Sequence, residues 1–442
     1  MSVPPPARPA PRPPSAASWL VVTLCALVVI AEGYDLIVFG ALLPKLLVEP
    51  GWGLDSAGAG IIGSFAYLGM LIGALVGGPA CDRFGRRRFV NLAVGWFTVW
   101  TFACGLAAQP WQLGGARVLA GLGMGAVIPA SVALAREFTP ANRGALTVTI
   151  LMAGIPLGGM TASLVGLVVL PAHGWRAMFL IGGLISVVIL AAALLRLPES
   201  EVYRAARQAG PSAAGTGRGG RFAELFRRRR ALLSVLFAVA TFANLLSWFG
   251  LNTWLTVLMR ELGYPLSSAL QFSLTLNTGA GIGSFLLVGL ATRWGNRRVA
   301  VGGALLVSAG TLACAVGTEH QLLLLAYIAV IGAGAQSALN LVLASVADTY
   351  PARVRATALG WANGVGRSGA VVAPALGGAI LTAGLGPRAV LLTFSLTALC
   401  AAAVIAVLAL LGRRPENAEQ PDGPAGSAGS VGAAALDPGL AR

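Results

Sequence analysis

The chain has 442 residues, of which 56% are hydrophobic and only 11% charged, with a mean hydropathy of +0.79. Soluble domains carry about 25% charged residues, so this composition excludes a water-soluble enzyme and points to a polytopic membrane protein. The net charge of +15 is spread over loops rather than gathered on one face, which assigns it to topology and anionic lipid and excludes a nucleic-acid partner.

Residues 1–18 are Pro-rich and lack an apolar core, and are expected to form a disordered tail. The first apolar span, 19–47, is too long for a signal-peptide core and no small-residue cleavage site follows it. Near its middle it carries Glu32-Gly33-Tyr34-Asp35. An ionised side chain in hydrocarbon costs about 2.5–3.5 kcal/mol on insertion scales. Two carboxylates three residues apart share one helical face, so Glu32 and Asp35 are expected to point together into an aqueous cavity.

Further apolar spans follow at 57–81, 89–108, 111–135, 144–170 and 175–197, then at 231–258, 267–291, 299–317, 321–347, 354–383 and 387–411. Each is long enough to cross the hydrocarbon core as a helix, which makes twelve spans with the first. The polar stretch 198–230, ending in four consecutive arginines, reads as a linker between six-span units at 19–197 and 231–411. Residues 412–442 read as a low-complexity tail. Of the 31 Lys and Arg residues, 25 fall in alternate loops and the two tails. Lys45, Arg176, Arg260 and Arg388 occupy the opposite loops, and Arg117 and Arg367 lie inside spans. This asymmetry places the tails and linker in the cytoplasm. Cys25, Cys81, Cys104, Cys314 and Cys400 show no metal or redox spacing, and no disulfide is expected.

The two units repeat each other. GPACDRFGRRR around Gly85 is echoed by LATRWGNRR around Gly295, and GLGMGA from Gly121 by GAGAQS from Gly332. EFTPANR from Glu137 is echoed by DTYPARV from Asp348, and GWRAMF from Gly174 by GPRAVL from Gly386. The near-constant offset indicates a duplicated six-helix unit, and parallel repeats of this kind place a transport site at the midplane between the halves.

The segment Gly78–Arg88 resembles the loop signature of the major facilitator superfamily, and the resemblance runs through all twelve spans. It implies an all-α membrane protein with twelve transmembrane helices in two pseudo-symmetric six-helix bundles. A narrower resemblance is to the aromatic acid:proton symporters of that superfamily. It rests on the Glu-Gly-Tyr-Asp segment, on Arg117 with GLGMGAVIPA, and on ADTYPARVRATALGWANGVGRSG over 347–369. Many relatives have aspartate where this chain has Glu32, which keeps the charge; Thr292 stands where the second loop would carry its acid. The resemblance implies a conformational latch built from Asp82, Arg83, Gly85, Arg86 and Arg87, with Glu137 and Arg355 in the same cytoplasmic network.

Glu32, Asp35, Arg117 and Arg367 are the ionisable acids and bases expected inside spans. Arg367 lies about 12 residues into the eleventh span, roughly 18 Å deep, beyond easy snorkelling, and its planar fork suits a carboxylate. A structural arginine bonded to carbonyls of a neighbouring helix is the alternative. Arg117 is shallower and could snorkel. Asp35, with Glu32 a turn away, is the candidate proton carrier. Polar residues recur at helical spacing: Asn244, Trp248 and Asn252; Gln336 and Asn340; Asn363 and Arg367. These face either the cavity or another helix. Tyr34, Trp248, Trp254 and Trp361 could stack on a planar ring.

The expectation is therefore a monomeric inner-membrane transporter that imports a small aromatic carboxylate with protons by alternating access. It has no phosphate-binding loop, so no cofactor is expected beyond the proton gradient. An exporter of the same fold and a non-transporting receptor for the same acid are the alternatives. Neither His173 nor His320 lies with a nucleophile or ligand cluster, which argues against a membrane enzyme.

Overall fold

The structure is a computed structural model and describes residues 16–140, 143–199, 218–227, 229–318 and 320–411. The expected tails lie outside these residues except for 16–18, as does most of the linker. The N-terminal half contains α1 (Ala16–Leu46), α2 (Ser56–Phe84), α3 (Arg86–Gly105), α4 (Pro110–Glu137), α5 (Gly144–Met152) and α6 (Gly154–Arg196). A short α7 (Arg218–Leu225) precedes the C-terminal half. That half contains α8 (Arg229–Glu261), α9 (Leu266–Trp294), α10 (Asn296–Val316), α11 (Gln321–Thr349), α12 (Ala352–Thr382) and α13 (Gly386–Leu411).

Among the described residues, ten segments are long and apolar enough to cross a membrane. One of them, Leu146–Arg196, holds two passes, and α3, which opens on three arginines, is not among the ten. The double pass is visible in its contacts. Gly158 and Gly182 both press on Tyr34, although a straight helix would separate them by about 36 Å. The reversal occurs at Gly174, where φ is +74°, a conformation that an L side chain enters only with strain. The fifth expected span, 144–170, is interrupted: α5 ends at Met152, and α6 begins at Gly154, pressed against Val29 of α1. A glycine there lets α1 approach where a side chain would hold it off.

The sequence duplication is repeated in the backbone. Gly85 (φ 87°, ψ 147°) and Gly295 (φ 85°, ψ 147°) make the same turn between the second and third helices of their halves. The loops at Gly85, Pro140, Gly295 and Pro351 gather at one end of the molecule, termed here the basic end.

The halves meet at the other end. There Ala57 N–H donates to Thr382 Oγ1 (2.9 Å), Ala375 N–H to Ser64 Oγ (3.2 Å) and Ser163 Oγ to Ser273 Oγ (3.2 Å). Small residues permit this closeness. A Cβ on Gly60 would overlap the Pro374 carbonyl, one on Gly378 the Ser56 carbonyl, and one on Gly40 the Asn252 carbonyl. Pro374 lies within α12 at the contact. Its carbonyl accepts from Trp254 Nε1 (2.9 Å), while the neighbouring Ala375 amide serves Ser64 of the other half.

Candidate substrate and proton site

Asp35 on α1 is buried within the N-terminal half. Its Oδ1 accepts from Thr101 Oγ1 of α3 (3.1 Å), and its Oδ2 pairs with Arg117 Nη1 of α4 (3.2 Å). The same Nη1 donates to the Asp35 backbone carbonyl at 2.8 Å. Arg117 is fully buried, with its guanidinium carbon 5.2 Å from the Phe39 ring centre. It therefore does not snorkel. Its Nε and Nη2 have no hydrogen-bond partner among the described residues. Removing one member of such a buried pair generally costs about 3–5 kcal/mol, because the other charge is left uncompensated.

Glu32, one turn away, is fully buried, and neither carboxylate oxygen has a hydrogen-bond partner among the described residues. The positive charge acting on it is that of Arg367, from the other half, although the two form no ion pair. The four charges thus divide into a tight pair inside one half and a separated pair that spans both.

Arg367 lines a cavity between the halves, about 120 Å³ in volume and reaching toward the basic end. Leu36, Tyr67, Met70, Ile128, Met152 and Ile155 form its N-terminal wall. The C-terminal wall carries Trp248, Phe249, Gln336, Asn340, Asn363 and Arg367. Among the described residues, Arg367 makes no hydrogen bond or ion pair, so its fork is directed at the cavity rather than at carbonyls of a neighbouring helix. The Tyr67 and Phe249 rings meet across the halves with centroids 4.7 Å apart. An apolar, aromatic-walled space with one guanidinium and a few amides is built to orient a planar anion.

Other expected residues lie elsewhere. Tyr34 donates its hydroxyl to the Met178 carbonyl (2.9 Å) and packs on α6, away from the cavity. Asn252 is held between helices: it donates to the Trp248 carbonyl (3.0 Å) and accepts from Asn277 Nδ2 (3.2 Å). Trp254 serves the Pro374 carbonyl, and Trp361 donates to the Ser234 carbonyl (3.0 Å) beneath Phe222 and Phe226. Tyr67, Met70, Thr101 and Asn277 were not expected. Of these, only Asn277, an amide within an apolar span, carried a signal in the sequence.

The family model described as Major Facilitator Superfamily matches residues 25–289 and again 272–438. The chain belongs to the Major Facilitator Superfamily. It is a multi-pass membrane transporter, not an enzyme. It is 39% identical over 389 residues to the gentisate transporter of Corynebacterium glutamicum, covering 85% of this chain and 84% of that one. It is 33% identical over 421 residues to the gallate transporter of Pseudomonas putida, covering 88% and 92%. The crystal structure of a D-xylose-proton symporter superposes with a TM-score of 0.70 at 17% identity, covering 88% of this chain and 97% of that one, and so shares the fold.

The superfamily loops at the basic end form two networks, each inside its own half. Arg86 pairs with Glu137 and donates to the Ala133 carbonyl (3.1 Å), and Arg87 Nη2 reaches the Leu194 carbonyl (2.8 Å). In the C-terminal half Asn296 donates to Asp348 Oδ2 (2.8 Å) and Arg297 to the Leu408 carbonyl (2.9 Å). These are the repeat counterparts of Arg86, Glu137 and Arg87. Thr292 turns back to the Gly289 carbonyl (2.7 Å), and Arg355 donates to the Tyr350 carbonyl (3.2 Å). Gly85 makes the turn itself, and Arg83 is exposed with its guanidinium 5.9 Å from the Phe84 ring centre. The Asp82 side chain lies outside the described residues.

At the opposite end, Glu49 clips the first loop to the start of the sixth pass. It accepts from Arg176 Nη1 (2.6 Å) and Trp175 Nε1 (2.8 Å), while Trp52 donates to the Ala108 carbonyl (3.0 Å). Burial alone would raise the Glu49 carboxyl. The two hydrogen bonds and the Arg176 charge outweigh it and hold the group below the ordinary carboxylate range.

Proposed function

We propose that this transporter is a proton-coupled importer of a small aromatic carboxylate, working as a monomer by alternating access in the bacterial inner membrane. The observation that carries the reading is Arg367, unpaired and aimed into an aromatic-walled cavity between the halves. A carboxylate bound there gains a bidentate partner, and the ring lies against Trp248, Phe249 and Tyr67. The gentisate and gallate transporters among its relatives support cargo of this class.

The basic loops, the linker and both tails belong in the cytoplasm by the arginine asymmetry. The present form, joined at the opposite end, is then the inward-open one. Glu32 and Asp35 carry the coupling protons: Asp35 is held by Arg117, and Glu32 answers to Arg367. An anion that takes up the Arg367 charge leaves Glu32 without its counter-charge, which favours protonation and so links the two cargoes. The loop networks at the basic end act as gating latches. The energy source is the proton gradient, with no bound cofactor.

The test is uptake of radiolabelled aromatic acids into proteoliposomes with and without an imposed pH gradient, in wild type and Arg367→Lys. Lysine keeps the charge and loses the fork, so affinity should fall by about tenfold to a hundredfold, the loss of one charge-assisted hydrogen bond. Binding without saturable, gradient-dependent uptake would make the protein a receptor. Gradient-driven efflux alone would make it an exporter. Unchanged affinity in Arg367→Ala would remove Arg367 from the site.

A further inference from the structure

We propose that Gln336, Asn340 and Asn363 read hydroxyl groups on the ring, so that the cavity selects phenolic acids over the unsubstituted aromatic acid. This rests on the cavity being an aromatic carboxylate site and adds which ring substituents it prefers.

The two walls differ in chemistry. The N-terminal wall is apolar apart from the Tyr67 hydroxyl, whereas all three amides and the guanidinium come from α11 and α12. A carboxylate needs only donors, and Arg367 supplies them. Carboxamides offer donor and acceptor together, the complement of a phenolic hydroxyl, which both donates and accepts. Placing three of them around an apolar ring that lacks polar substituents would leave them unanswered when water is displaced.

Their positions fit that task. Asn363 precedes Arg367 by about one turn of α12, roughly 6 Å along the axis, a length comparable with a substituted benzene ring. Gln336 and Asn340 stand one turn apart on α11, on the same cavity wall. Gln336 Nε2 donates to Asn340 Oδ1 at 3.4 Å, a long bond that leaves the Gln336 carbonyl and the Asn340 amino group available. Asn363 makes no hydrogen bond among the described residues.

Helix-to-helix bonding is the competing role for such amides, and this chain shows what it looks like. Asn252 and Asn277 bond each other and backbone carbonyls, and neither lines the cavity. Among the described residues, the cavity amides have no such partners on another helix. Because Gln336 and Asn340 can fall back on each other, discrimination should be modest, on the order of tenfold per hydroxyl.

The experiment measures competition for binding to the purified full chain by benzoate, 4-methoxybenzoate, 4-hydroxybenzoate and 2,5-dihydroxybenzoate. Wild type should bind the two phenolic acids about tenfold or more tightly than benzoate and the methoxy acid. Gln336→Met with Asn340→Leu should reduce that ratio toward one while benzoate affinity holds or rises. Equal affinity of wild type for all four acids would overturn the assignment and leave the aromatic carboxylate reading intact. So would equal losses for all four acids in the folded double variant. The wild-type comparison of hydroxy with methoxy acid decides the matter even if the double variant does not fold. Failure of wild type to bind any of the four would overturn the carboxylate reading and this inference together.

Discussion

Gly60 offers a direct test of how the closed end is held. A methyl group there would overlap the Pro374 carbonyl oxygen and stand 3.1 Å from both the Pro374 carbonyl carbon and Ala375 Cα. Ordinary carbon–carbon contacts lie at about 3.5–4.0 Å, so α2 and α12 must separate by several tenths of an ångström. Every atom in the way is backbone of the other half, and no flexible side chain can yield. Overpacking of this kind costs about 1–3 kcal/mol. Borne only by the form closed at this end, that cost shifts the balance between the two facing states by about 5- to 150-fold. Spin labels at Val48 and Leu385, exposed at 71% and 65% in loops of opposite halves, would report the separation by pulsed dipolar spectroscopy. Gly60→Ala should move the distance distribution to longer values. Gly281→Ala, whose methyl would enter open space, should leave it where it is. An unchanged distribution in folded Gly60→Ala would refute the idea that this contact sets the closure.

Glu32→Gln should leave folding intact, since neither carboxylate oxygen is hydrogen-bonded, and should abolish pH-driven accumulation while substrate counterflow survives. Asp35→Asn should lose accumulation too, but should also lower the melting temperature in a thermal scan, because Arg117 loses its ionic partner. Glu49 has a lowered folded pKa, so its contribution is complete above the ordinary value of 4.5 and declines as pH falls from there through the folded value. The stability gap between wild type and Glu49→Gln should therefore be flat at neutral pH and vanish in acid; a gap that persists there would show that the clip does not depend on ionisation. A phosphatase fused after Leu197 should be inactive, and one fused after Pro50 active; the reverse would invert the topology.

Spans, duplication and the deep charges could be read from the sequence because each carries a strong physical signal. Length and apolarity mark a helix in lipid, a constant offset marks a repeat, and an arginine at the middle of a 31-residue helix such as α12 has a cost that demands an explanation. Facing was less legible. In helices apolar all round, periodicity does not distinguish lipid, cavity and neighbour. Tyr34 was thus a candidate for stacking on the ligand and Asn252 a candidate for the cavity or for another helix, and the structure seats Tyr34 against Gly182 and pairs Asn252 with Asn277. Conversely Tyr67 and Met70 line the cavity, with nothing around them in the sequence to set them apart from packing residues. The break between α5 and α6 did have a local sign that the long apolar run masked: Pro156 has no N–H to offer the Met152 carbonyl, and α5 ends at Met152.

The proline in α12 connects what happens at the two ends of that helix. With Ser64 holding the Ala375 amide, the turn around Pro374 is braced by the opposite half. When the halves part, that peptide group must find a partner in its own helix, since hydrocarbon provides none. The turn around Pro374 would change its hydrogen bonding as it does so. Arg367 lies two turns away on the same helix, at the end of a lever about 10 Å long. A carrier built this way does not need a separate device to loosen its hold on the anion. In the proposed cycle the grip and the gate would be the same piece of backbone, and cargo would be presented differently to the two sides of the membrane as the arm that carries it is re-aimed.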